Sequence, residues 1–222
     1  MIKVIAFDVN ETLLDLAALR PAYGTLMGTP DSMGEWFARM LHGSLVANHT
    51  GHYRSFEMLG VEALLVVAQK RDVDLTADEA ADFVGGMRTL PPHPDVVPTL
   101  TELAGRGWKM VALTNGSQLI AEAQITNGGL SSLLEAVLSV ESVGRFKPAP
   151  ETYLWAAARL EIEIDEMLLV AAHDWDILGA QSVGCQAAFI ARPRAIWGVP
   201  TKPPELVGHD LSCLLDLPVP GA

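Results

Sequence analysis

Cysteine is nearly absent: Cys185 and Cys213 are the only two in 222 residues. They cannot build a disulfide framework and form no Cys-x-x-Cys pair, so the usage predicts a reducing, cytoplasmic setting. Positive charge is also scarce. Lys plus Arg number 15 against 27 Asp plus Glu, a formal net charge of −12. That balance argues against a uniformly basic nucleic-acid binder and leaves any anionic ligand to be caught by a few placed cations. No stretch approaches the roughly 18 apolar residues of a membrane span. The opening apolar run stops at Asp8, too early for a signal peptide. What is present is a core: 50% of the residues are hydrophobic and 19% charged, which excludes a disordered chain. The length exceeds the ~150-residue prior for one domain, so a large domain or a domain with an insertion is expected.

Ile2 to Phe7 is a short continuous apolar run, the pattern of a strand buried on both faces. After Leu14 helical patterns take over for about 75 residues. Ser32-x-x-Glu35 reads as a capping box, Phe56 to Arg71 as an apolar helix, and Thr76-x-x-Glu79 as a second box. Pro91-Pro92-His93-Pro94 closes this section. Beyond it, strands and helices alternate. Strands are predicted at 109–114, 136–140, 167–172 and 187–191, with helices at 96–105, 118–127, 151–160 and 177–183. The stretch from Arg192 to Pro204 is Pro-rich and irregular. Alternation of this kind implies right-handed βαβ units. The predicted fold is α/β: a Rossmann-like, doubly wound parallel sheet core (1–14 and 92–222) with an all-helical cap (15–91) inserted after the first strand.

Ligands of open α/β sheets bind beyond the carboxyl ends of the strands. Four polar clusters fall there: Asp8-Val9-Asn10-Glu11-Thr12, Thr114-Asn115-Gly116-Ser117, Arg145-Phe146-Lys147-Pro148 and His173-Asp174-Trp175-Asp176. Singly, each reads equally well as turn and cap residues. Together, Asp-x-x-x-Thr-Leu after the first strand, Thr-Asn, Lys-Pro and a final Asp resemble the motif series of the haloacid dehalogenase superfamily. Within it the chain resembles the type II L-2-haloacid dehalogenases, from about Met1 to Ala191. Arg39, 31 residues after Asp8, falls at the spacing of that family's cap arginine. Tyr153, six after Lys147, matches its tyrosine, and Trp175-Asp176 its last motif.

The resemblance implies hydrolysis of short (S)-2-haloalkanoic acids to (R)-2-hydroxyacids and halide, through an aspartyl ester, with neither metal nor organic cofactor, in a homodimer. The residue types suit that chemistry. A carboxylate held by an ammonium stays ionised and nucleophilic, which assigns Asp8 with Lys147 as counter-charge. Thr12 and Asn115 can orient its oxygens, or serve as ordinary turn residues. Thr114 and Asn10 complete the expected substrate and halide contacts. Ser117 reads as a helix cap. Arg39 is expected to face the strand ends and attract halide or substrate carboxylate, although without the family spacing it reads as a snorkelling surface arginine. Asp176, with His173 beside it, is placed to activate the hydrolytic water, helped by Tyr153 and Lys147. Trp175 is a pocket wall or a core residue.

Departures from the family matter. Magnesium phosphatases of the superfamily carry an acid two residues after the nucleophile; here that position is Asn10, and an amide delivers no proton at useful pKa. Ala172 stands where their metal-binding carboxylate falls, and a hard cation wants several oxygen ligands. The dehalogenases themselves usually have an aromatic at Asn10, Gly at Glu11 and Ser-Ser-Asn at Ala171-Ala172-His173. His173 is then a base, a hydrogen-bond donor to a small halide that would admit fluoroacetate, or an orienting group. A phosphatase-like hydrolase using the same Asp8, and a non-catalytic carboxylate-binding module, are the rival readings.

Overall fold

The computed structural model describes residues 1–219; residues 220–222 of the expected core segment lie outside the described residues. Val4–Phe7 forms β1, all four residues buried, as a strand covered on both faces must be. Helices follow: α1 (Arg20–Met27), α2 (Met33–Thr50), α3 (Phe56–Gln69) and α4 (Ala77–Gly85). The chain leaves and re-enters beside β1 through an antiparallel bridge between Leu14 and Pro92. Then come α5 (Val96–Gly105), β2 (Lys109–Thr114), α6 (Gln118–Asn127), β3 (Ala136–Ser139), α7 (Pro150–Arg159), β4 (Met167–Ala171), α8 (Asp174–Ser182), β5 (Gln186–Ile190) and β6 (Leu206–Gly208). The six strands are parallel in the order β3-β2-β1-β4-β5-β6. The winding reverses at β1, so the ends of β1, β2 and β4 open onto one crevice. No helix among the described residues is long and apolar enough to cross a membrane.

Strand and helix bounds predicted from the sequence agree to within a residue or two except at α8, and two elements, α1 and β6, carry no individual prediction. α8 starts at Asp174, three residues before its apolar periodicity begins, because Asp174 and Asp176 favour the positive end of a helix. β6 escaped detection as a three-residue edge strand behind Pro203-Pro204. Two caps also differ from expectation. Thr76 and Glu79 form the reciprocal box, but Ser32 does not: its hydroxyl pairs with Tyr23 Oη at 2.9 Å, and Glu35 turns to Lys70 and Arg71. Ser117 occupies the N-cap without capping; Glu57 and Glu141 accept the first N–H groups of α6 instead.

α2, α3 and α4 pack on one another, and their buried residues join the core of the sheet. Trp36 is fully buried, donates to the Gly60 carbonyl at 2.9 Å, and meets Phe83 edge-on at 5.1 Å. Asn48 ties α2 to the sheet side: its amide donates to the Phe146 carbonyl (2.7 Å) and its Oδ1 accepts the Phe146 N–H (2.8 Å). The loop so gripped carries Lys147.

Gly179 lets α8 lie directly on that loop. A Cβ there would sit 2.5 Å from Pro148 Cβ and 2.6 Å from Tyr153 Oη. Gly179→Ala is therefore expected to destabilise the fold by about 1–3 kcal/mol through overpacking, read as a lower urea midpoint at unchanged m-value.

Candidate active site

β1 ends where the chemistry begins. Asp8 continues the strand, its N–H donating to the Val170 carbonyl at 3.0 Å. Lys147 reaches it from the loop after β3, and its ammonium spends all three protons: on Asp8 Oδ1 (2.9 Å), Asp176 Oδ2 (2.6 Å) and the Leu113 carbonyl (2.9 Å). A lysine 1% exposed is tolerable because every N–H is paired. Burial opposes its charge, but Asp176 and Asp8 overcome that and raise its pKa. Burial likewise works against Asp8, yet the Lys147 and His173 cations hold its carboxyl well below the usual carboxylate range. Asp8 is thus ionised.

The other oxygen has a different set of partners. Asp8 Oδ2 accepts from Thr12 Oγ1 at 2.7 Å and from His173 Nδ1 at 3.1 Å. Thr12 is fixed in turn by the Ala172 N–H, 2.9 Å from its oxygen. His173 Nε2 donates to Glu11 Oε2 at 2.9 Å. The ring stacks on Trp175 (centroids 5.0 Å apart) and faces Phe37 of α2 at 6.2 Å. Burial and its N-cap position on α8 both disfavour a positive imidazole. Hydrogen bonds to Asp8 and Glu11, with their charges, win, and the pKa is pushed up to about 10. Both ring nitrogens of His173 thus lie on carboxylates, an arrangement that favours the imidazolium and matches the orienting-group reading.

Asp176 is fully buried, Oδ2 on Lys147 and Oδ1 accepting from Tyr153 Oη at 2.7 Å. Burial and the Asp8 charge raise its pKa against the pull of Lys147. Tyr153, also buried, is raised well above the ordinary phenol value by burial and by Asp176. Asn115 Oδ1 accepts the Lys147 N–H (2.9 Å), and Asn10 Oδ1 accepts from Gln124 Nε2 (2.9 Å). Each amide is thereby oriented, and neither NH₂ has an acceptor among the described residues. Thr114 Oγ1 accepts the Gly116 N–H and shapes the turn after β2. Trp175 is half-buried, a wall of the site rather than core.

Arg39 is not brought in. It is exposed and makes no hydrogen bond or ion pair among the described residues. The sheet-facing stripe of α2 runs through Phe37, Ser44 and Asn48, and two residues from Phe37 is about 200° around the helix. Phe37 is the α2 side chain at the site. The sequence assigns no role to Glu11, Gln124 or Arg192. Arg192 is buried, donates to the Thr12 carbonyl through Nε (3.1 Å) and Nη2 (2.9 Å), and pairs with Asp95 at 2.6 Å. Helical spacing from Phe37 to Asn48, eleven residues or three turns, was the available signal that these two share the site-facing side of α2.

His173 binds its proton more tightly folded than unfolded, since its pKa rises from 6.5 to about 10. Its contribution to stability is complete below about pH 6.5 and is lost as pH rises through about 10. The stability advantage of the wild type over His173→Gln is expected to shrink across that window, measured by urea unfolding at stepped pH.

A family model described as haloacid dehalogenase-like hydrolase matches residues 2–184. The (S)-2-haloacid dehalogenase 1 of Pseudomonas sp. (strain CBS-3) is 28% identical over 222 aligned residues, 98% of this chain and 95% of that protein. The (S)-2-haloacid dehalogenase of Xanthobacter autotrophicus is 30% identical over 86% of this chain and 76% of its own length. The structure of L-2-haloacid dehalogenase from Xanthobacter autotrophicus with chloropropionic acid covalently bound superposes with a TM-score of 0.89 at 25% identity, covering 96% and 97% of the two chains. With the match running from β1 past α8, across Asp8, Lys147 and Asp176, the chain belongs to the haloacid dehalogenase-like hydrolase family.

Proposed function

We propose that this protein is an (S)-2-haloacid dehalogenase that converts short 2-haloalkanoic acids to 2-hydroxyacids and halide through an ester on Asp8. The observation that carries it is an ionised strand-end carboxylate facing Lys147, with an amide, Asn10, where a phosphatase needs an acid. Displacement at carbon needs no proton on the leaving group; the carbon–halogen electron pair departs with the halide. Covalent chloropropionate on a relative of 25% identity supports the same course.

Asp8 Oδ1 carries one donor and Oδ2 two, so Oδ1 is the better nucleophile. The two free amide NH₂ groups of Asn10 and Asn115 are the donors left for substrate carboxylate or halide, within aromatic walls from Phe37 and Trp175. Any tolerance of fluoroacetate rests on those amides, because His173 has no N–H to spare. Each Asp176 oxygen keeps a lone pair, and its raised pKa suits it to take a proton from water. A small anionic substrate follows from this reading of the site. The cytoplasmic location rests on cysteine usage, and the homodimer on the resemblance.

Purified protein is expected to release chloride from (S)-2-chloropropionate with or without EDTA, and Asp8→Asn to release none. One turnover in H₂¹⁸O is expected to label Asp8. Magnesium-dependent phosphate release abolished by EDTA would instead establish the phosphatase reading. Tyr153→Phe, which frees one oxygen of Asp176, is expected to lower kcat roughly tenfold with KM little changed, the loss of about one hydrogen bond's positioning.

A further inference from the structure

Glu11 is a non-glycine residue with φ of 63°, a left-handed backbone that side chains other than glycine rarely accept. Its carboxylate is half-exposed, yet it holds the outer nitrogen of His173, whose inner nitrogen lies on the nucleophile. Neither group is used in the first displacement as described above. His173 and Thr12 converge on the carboxylate oxygen that does not attack, and Glu11 reaches it only through His173.

We infer that Thr12 Oγ1 and His173 Nδ1 form an oxyanion site on Asp8 Oδ2 for hydrolysis of the ester, with Glu11 as the residue that positions His173. This rests on the proposed function. Once Oδ1 has bonded to the substrate carbon, Oδ2 is the ester carbonyl oxygen. Water attacks Cγ, giving a proton to Asp176, and the carbonyl electron pair moves onto Oδ2. Donors at 2.7 and 3.1 Å, one of them cationic, already point at that atom and need no rearrangement as its charge grows. The oxyanion then collapses: the carbonyl re-forms and the Cγ–Oδ1 bond breaks. Oδ1 leaves with the product as an alkoxide, which recovers the proton from Asp176. Asp8, now carrying the water oxygen, ionises again and releases a proton to solvent. In the resting enzyme the same imidazolium slightly weakens the nucleophile, so its benefit falls on the second step alone.

The charged groups around the ring are Asp8 and Glu11, with Lys147 beyond Asp8. Asp174 is turned toward the Trp175 and Gly198 N–H groups. Phe37 from α2 and Trp175 from α8 are uncharged. Glu11→Gln keeps a hydrogen-bond acceptor but removes the charge that upholds the imidazolium.

Rapid-quench kinetics with (S)-2-chloropropionate, combined with intact-protein mass spectrometry, test this. His173→Gln is expected to release a first chloride per protein within a few-fold of the wild-type rate. Its steady state is expected to be slower by about 10²-fold or more, the usual cost of losing an oxyanion donor, while the 1-carboxyethyl ester accumulates on Asp8. Glu11→Gln, at a half-exposed position and safe for folding, is expected to show a smaller accumulation. Its hydrolysis should fail at lower pH on the alkaline side than in the wild type. Equal slowing of the chloride burst and of turnover, with no ester, would overturn the inference by placing His173 in the first displacement. Unchanged kinetics in both variants would overturn it too. If the wild type releases no halide from any 2-haloacid, the function fails and the inference with it, whereas a turning-over wild type with unaffected variants removes the inference alone.

Discussion

One ammonium organises this molecule. Lys147 brings together a carboxylate at the end of β1, a carboxylate in the first turn of α8 and the carbonyl of Leu113 on β2, joining three neighbouring parts of the sheet at the point where its winding reverses. A charge this deep is stable only when every proton has a partner, so the loop before it cannot drift. Asn48 clamps the loop at Phe146 from the inserted helices, and Gly179 lets α8 close onto Pro148 from the other side. Arg192 does the corresponding service for the β1 loop, holding the Thr12 carbonyl that lies behind the nucleophile. Fold and site are one network around Lys147.

Charge at the site is closely balanced, and that limits how a substrate is held. Two cations, Lys147 and His173, face three carboxylates, Asp8, Asp176 and Glu11, inside a chain of net charge −12. No surplus positive potential is available to draw in an anion from a distance. Recognition must then come at contact range, from neutral donors oriented in advance and from the positive edges of aromatic rings. Burial, together with the same crowding by Asp8, raises the pKa of Asp176.

The sheet was legible because parallel strands buried on both faces are written as continuous apolar runs, and five of the six strands carry one. β6 carries none, being three residues at an edge. Asp8, Thr12, Lys147, Tyr153 and Asp176 were legible from strand-end position and motif spacing, and they do converge. What spacing could not convey was which side chain answers which. Ser32 and Glu35 have the capping pattern, but tertiary partners claim both. Arg39 has the family interval, but helix phase, not interval, decides which side chain meets the sheet, and phase selects Phe37. His173 and Glu11 lie 162 residues apart, and their pairing is visible only once β1 and β4 are neighbours.

Glu11 shows why the local rule fails where it does. A left-handed backbone costs a non-glycine residue roughly 1–2 kcal/mol, and glycine would remove that cost. The return in stability is limited, since the Glu11 side chain is 42% exposed and screened by solvent. The pairing does have one effect that glycine could not supply: it favours a proton on His173, against burial and the helix dipole, beside Asp8 Oδ2, the oxygen on which the inferred oxyanion would form. Strain at a position with little structural return is the pattern of a residue kept for chemistry, which is the role inferred above for Glu11 through His173.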